Sequence, residues 1–126
     1  MTKFLLDTNV LLWYFENSNR IETVKELIIS GDSEVYFSTV SLWEIAIKIK
    51  TGKLKLDIDE LRFYAKKYSF YELPVTGVYM NVYLNLPHFH KDPFDHMLLA
   101  QAIVSPMRLI TGDSLLKEYS SLVMLI

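Results

Sequence analysis

Four acidic residues, Asp7, Glu44, Asp95 and Asp113, carry the chemistry most legible in this sequence. Each stands where an apolar run ends or a helical pattern begins, and there a carboxylate often has a local duty. Ser41-Leu42-Trp43-Glu44 reads as a capping box, in which serine and glutamate satisfy amide donors of a helix's first turn, and Glu44 can also pair with Lys48 one turn on. Asp92-Pro93 reads as a helix cap followed by proline at the first helical position, which puts Asp95 at the third, where a carboxylate suits the helix dipole. Asp7 and Asp113 can cap helices of their own. Capping explains each acid singly but does not require the four to meet. If they meet in a partly dry cleft, their repulsion must be offset. A hard divalent cation, Mg²⁺ or Mn²⁺, does this, because it takes oxygen ligands, keeps several waters and commonly bridges carboxylates to phosphate. The chemistry that follows is phosphodiester hydrolysis, with one or two ions orienting a water and neutralising charge on the phosphate.

Whether the acids meet depends on the elements that carry them. Lys3-Phe4-Leu5-Leu6 is a short apolar strand that stops at Asp7, after which Val10, Leu11, Tyr14 and Phe15 recur at helical spacing. A helix is predicted over 21–29, stopping at Gly31-Asp32, then a strand at Val35-Tyr36-Phe37 and a helix over 41–50 ending at Gly52. A helix over 59–68, a strand over 70–73, a helix over 76–84 and a loop over 87–92 follow. The chain closes with a long helix over 93–104, a strand over 108–111, a short helix over 114–119 and a strand over 122–125. This alternation implies an α/β fold, a mainly parallel central sheet flanked by helices on both faces. In such sheets ligands bind beyond the carboxyl ends of the strands. Asp7 and Asp113 directly follow strands, and Glu44 and Asp95 lie in the first turns of helices starting at that edge, so all four are expected there.

The 126 residues suit one domain, 1–126, burying roughly two thirds of the unfolded surface around a single core. With 51% hydrophobic residues, 13% aromatic, four Gly and four Pro, the composition is that of a folded body rather than a disordered one. The absence of cysteine excludes disulfides, thiolate metal sites and cysteine nucleophiles, and suits the reducing cytoplasm. Asp7 interrupts the apolar N-terminal patch and no small-residue cleavage site follows, so neither a signal peptide nor a membrane span is expected. The net charge of −2 provides no global attraction for nucleic acid, which leaves that task to local basic clusters or bound cations.

Four blocks recur in order along nearly the whole chain: Phe4-Leu5-Leu6-Asp7-Thr8-Asn9-Val10-Leu11-Leu12-Trp13; Ser41-Leu42-Trp43-Glu44-Ile45-Ala46-Ile47-Lys48 continuing to Gly52-Lys53-Leu54; His90-Lys91-Asp92-Pro93-Phe94-Asp95 with Leu98-Leu99-Ala100-Gln101-Ala102; and Leu109-Ile110-Thr111-Gly112-Asp113. Together they resemble the PIN domains of VapC-type toxins from type II toxin–antitoxin systems. The resemblance implies a Mg²⁺- or Mn²⁺-dependent endoribonuclease acting on RNA, often a homodimer, inhibited by an antitoxin protein that covers or enters its active site. By motif match Asp7, Glu44 and Asp95 would be the core catalytic and metal-binding acids and Asp113 the more variable fourth. Asn9 departs from the histidine many relatives carry, and His96 from a frequent arginine, which would weaken phosphate contact at neutral pH.

Thr8, Asn9 and Thr111 adjoin the acids and could orient carboxylates or water from a second layer; ordinary local hydrogen bonding is the alternative for the threonines. Lys48 and Lys53 are candidates for RNA-backbone contact, whereas Lys50 and Lys55 read as a solvated helix end. His88, His90 and His96 fall close together, but the spacing mixes loop with helix and lacks a clear fourth zinc ligand. Trp13, Tyr14, Trp43, Tyr79, Tyr83 and Phe94 could stack bases or line an oligomer interface, with core packing the expectation for most. Two other functions compete. A haloacid-dehalogenase-like phosphotransferase also begins with a strand ending in Asp, but needs a second acid two residues on, where this chain has Asn9. A non-catalytic acidic module binding metal or protein is the other.

Overall fold

The computed structural model describes residues 2–88 and 91–126. The order is β1 (Thr2–Leu6), α1 (Thr8–Phe15), α2 (Glu22–Ile29), β2 (Ser33–Ser38), α3 (Thr39–Lys50), α4 (Ile58–Lys67), β3 (Tyr71–Leu73), α5 (Met80–Asn85), α6 (Pro93–Val104), β4 (Arg108–Thr111) and β5 (Val123–Leu125). Short 3-10 turns at Asn19–Ile21, Gly77–Tyr79 and Ser114–Glu118 join them. The five strands form one sheet in the order β3-β2-β1-β4-β5, and every pairing is parallel. The chain builds outward from β1 to β2 and β3, then returns to add β4 on the other side of β1. That reversal opens a crevice between the carboxyl ends of β1 and β4.

Period-two alternation explains why both faces are covered. Phe4 and Leu6 point to one side, among Val10 and Leu11 of α1, Val24 and Ile28 of α2 and Leu61 of α4. Leu5 points to the other, among Leu98 and Leu99 of α6, Leu109 and Val123. A strand buried on both faces has no polar position to spare, which is why β1 reads as a continuous apolar run rather than an alternating one. Leu5 and Leu6 are both fully buried, each burial contributing about 1.5–3 kcal/mol. Loss of Leu6 would also release the strand end from which Asp7 starts.

Two predicted elements differ in detail. β2 spans Ser33–Ser38, three residues longer than the apolar core 35–37 suggests, because it pairs with β1 from Thr2↔Ser33 through Leu6↔Phe37 and with β3 as far as Ser38↔Leu73. Parallel register, not side-chain polarity, sets its ends. The helix expected over 76–84 is a 3-10 turn running into the six-residue α5. Of the loop expected over 87–92, residues 87, 88, 91 and 92 carry neither helix nor strand, and Phe89 and His90 lie outside the described residues.

Candidate active site

Asp7 is the first residue past β1 and caps α1, its Oδ1 accepting the Val10 N–H at 2.9 Å. Its other oxygen accepts the Thr111 hydroxyl from the end of β4, the strand across the crevice. Only 5% of Asp7 is exposed. Burial pushes its carboxyl up to about 6, partly countered by the Thr111 and Val10 hydrogen bonds and reinforced by the negative charges of Glu44 and Asp113. An anion is thus held in an unfavourable position by donors that favour it, an arrangement that attracts a cation.

Glu44 is set by a different device than the capping box. Ser38, at the end of β2, caps α3 by accepting the Val40 N–H at 3.0 Å, so the cap stands three residues before Ser41 and the helix begins at Thr39. Ser41 is instead fully buried, its Oγ 2.9 Å from Thr8 Oγ1. The local pattern misled because Ser38 and Ser41 are equally capable caps, and the register of β2 chose the first. Thr8 also donates its hydroxyl to Glu44 Oε1 at 2.6 Å, and Lys48 lies 3.7 Å from Glu44 Oε2. Thr8 therefore ties the start of α1 to α3 and aims Glu44 toward Asp7.

Asp92 caps α6, accepting the N–H groups of Phe94 at 2.9 Å and Asp95 at 3.4 Å, with Pro93 in the first turn. Capping thus falls to Asp92, and Asp95 occupies the first turn. Asp113 caps the 3-10 turn that follows β4, accepting the Leu115 N–H at 2.9 Å, while its own N–H donates to Thr111 Oγ1 at 3.0 Å. All four acids line one cleft of about 160 Å³ together with Thr8, Asn9 and Asp92. They come from four separate segments, and the crevice beside β1 is where those segments meet.

The convergence is to a cleft rather than to a point. Among the described residues no three Asp, Glu or His side chains gather as a ready-made cage for an ion. A small hard cation fits such a site, because Mg²⁺ usually takes one or two carboxylates and completes its shell with water and phosphate oxygens. The donor set agrees, being all oxygen. Of the histidines, His96 is buried with Nε2 3.1 Å from the Tyr119 hydroxyl, His88 is exposed, and His90 lies outside the described residues. His96 therefore faces Tyr119 in the packing of α6 rather than standing in the cleft as a substitute for arginine.

The aromatic candidates divide. Tyr79 is core, and Tyr14 packs edge-on against Tyr68 and Phe70. Trp43 is 63% exposed and meets Phe94 edge-to-face at 5.3 Å, on the wall of an apolar recess of about 490 Å³ that also includes Val75, Met80, Tyr83 and Met97. Since Trp43 precedes Glu44 and Phe94 precedes Asp95, this recess adjoins the acids. A larger recess, about 660 Å³, lies between α4 and β3, where Arg62 and Glu72 pair at 2.8 Å. Size does not outweigh chemistry here, as that recess contains none of the four acids. Sequence reasoning missed Ser41 as a buried partner of Thr8, since nothing local distinguishes it from a cap.

No curated protein matches the sequence. Among solved structures, one described as VapBC2 from Rickettsia felis bound to a DNA fragment from their promoter is similar at a TM-score of 0.73 and 12% identity, over 99% of this chain and 98% of that one. A toxin–antitoxin complex from Klebsiella pneumoniae is similar at 0.65 and 19% identity, over 95% and 94%. At these identities the likeness is one of fold. The family model described as PIN domain matches residues 4–122, and on that match the chain belongs to the PIN domain family.

Proposed function

We propose that this protein is a metal-dependent endoribonuclease that hydrolyses RNA phosphodiester bonds, the toxin of a toxin–antitoxin pair, with residues 1–126 forming one nuclease domain. The observation that carries this reading is the shared cleft of Asp7, Glu44, Asp95 and Asp113 beside the β1/β4 crevice, with Asp7 buried among like charges. Bound Mg²⁺ or Mn²⁺ would supply Lewis acidity toward water and the attacked phosphate. The chain's own residues do the rest. Asp7 and Glu44 present carboxylates whose directions are held by Thr111 and Thr8. Asp95 and Asp113 complete the acidic wall and Asn9 lies at its exposed rim, while Lys48, 3.7 Å from Glu44, and Lys53 beyond the end of α3 are the proposed contacts for an RNA backbone.

The toxin reading rests on family membership together with the two toxin–antitoxin structures of the same fold. The apolar recess at Trp43 and Phe94 suits a protein partner beside the cleft, an antitoxin or a second copy of the chain. A cytoplasmic location suits the lack of cysteine, and among the described residues no helix is long and apolar enough to cross a membrane. Purified protein with single-stranded or looped RNA is expected to cut only with Mg²⁺ or Mn²⁺ added. Undiminished cutting in excess chelator refutes metal dependence, and robust turnover of a small phosphomonoester would favour the phosphotransferase reading that Asn9 opposes.

A further inference from the structure

Asp113 follows Gly112, and Gly112 is pressed by a side chain from another element. A Cβ built on Gly112 would stand 2.7 Å from Cη2 and 3.1 Å from Cζ3 of Trp13. The indole therefore lies directly against the backbone of the turn from β4 to Asp113. A methyl group there could be accommodated only by moving the ring or the turn.

The ring is held from another direction. Asn17 adopts φ 54°, a left-handed conformation that asparagine tolerates better than most residues, and the chain reverses after α1. The Ser18 N–H then donates to the Trp13 carbonyl at 2.8 Å, and the Ser18 hydroxyl caps the following 3-10 turn by accepting the Arg20 N–H at 3.2 Å. This return brings the Arg20 guanidinium to 4.0 Å from the centroid of the Trp13 ring, a cation–π contact. Trp13 thus contacts both a backbone that leaves no room for a methyl group unless the ring or the turn shifts and a cation positioned by its own turn. Nothing in the sequence links residues 13 and 20 to residue 113.

On the reading that the acidic cleft holds a divalent cation, we infer that Trp13, braced by Arg20, is a positioning residue for Asp113, acting through its contact with Gly112. The same turn carries the Asp113 N–H to Thr111 Oγ1, and Thr111 donates to Asp7, so displacing Gly112 disturbs both Asp113 and the donor that holds Asp7. Pure core packing is the competing account, and it makes different demands on metal binding.

The test uses Mn²⁺ affinity by titration calorimetry on folded protein, with a thermal melt and RNA cleavage alongside, for the parent, Trp13→Leu, Gly112→Ala and the double variant. Each single change is expected to weaken Mn²⁺ binding about tenfold, the scale of residues that orient a metal's ligands. The double variant is expected to be no weaker than Trp13→Leu alone, since the shortened side chain leaves room for the new methyl. Arg20→Ala should weaken binding less than either. Parental Mn²⁺ affinity in both single variants, with only the melting temperature lowered, overturns the inference, and so does a strictly additive double variant. A parent that binds Mn²⁺ but cuts no RNA sinks the nuclease reading and leaves the affinities to decide this one. A parent that binds no Mn²⁺ overturns it.

Discussion

Thr111 donates its hydroxyl to Asp7 across 104 positions of chain and takes the Asp113 N–H at 3.0 Å on the same oxygen. One buried side chain therefore serves two acids on opposite sides of the β1/β4 crevice. Thr111→Val keeps the shape and removes both bonds. The expected result is Mn²⁺ affinity weakened about tenfold or more, with about 1–3 kcal/mol of apo stability lost through unsatisfied buried groups. Thr111→Ser should recover most of both. Calorimetric titration and a melt check this, and parental Mn²⁺ affinity in the valine variant would refute the role.

Asp7 makes stability depend on pH in an identifiable direction. Its carboxyl is raised by burial from 3.8 to about 6, so the folded state binds a proton more tightly than the unfolded one. The associated stability is fully present below about pH 4 and is lost as pH rises through about 6, reaching about 3 kcal/mol less at neutral pH. Asp7→Asn retains a good cap for α1 and removes this term. In metal-free buffer the asparagine variant should gain on the parent from about pH 4 to about pH 6 and level off above that, while cutting no RNA. A parent-to-variant difference that stays flat across that range would show that Asp7 carries no such burden.

At α6 the capping and catalytic duties should separate by mutation. Asp92→Asn keeps a capping oxygen and should be mild in stability and activity, whereas Asp92→Ala should cost about 1 kcal/mol. Asp95→Asn should leave the metal-free fold as stable as the parent or slightly more so, yet weaken metal binding and lower cleavage by orders of magnitude. Melts with and without Mn²⁺ and a cleavage assay in one buffer separate these cases. If Asp95→Asn melts well below the parent but cuts RNA normally once folded, Asp95 is structural.

Glu44 depends on Thr8 for its direction, and Thr8→Val removes the 2.6 Å bond while keeping the side chain's volume. Cleavage is expected to fall about tenfold or more, with Thr8→Ser close to the parent. Unchanged cleavage in Thr8→Val would show that Lys48 alone suffices to aim Glu44.

The amino-acid sequence determined which acids could meet and at which edge. Apolar runs ending at Asp7 and shortly before Asp113, and the cap Asp92-Pro93 ahead of Asp95, are local signals, since strand ends and helix starts follow from a few adjacent residues. Tertiary structure alone decided the rest. Ser41 and Ser38 are interchangeable as caps until the pairing of β2, with β1 as far as Phe37 and with β3 at Ser38, carries the strand to Ser38 and sends Ser41 into the interior against Thr8. Thr111 and Trp13 are ordinary residues until the return of the chain places β4 beside β1, which brings one under Asp7 and lays the other across Gly112. Local preferences extend over a turn or two of chain, whereas hydrogen bonds and close contacts between residues 33 to 104 positions apart exist only once the sheet order has been set.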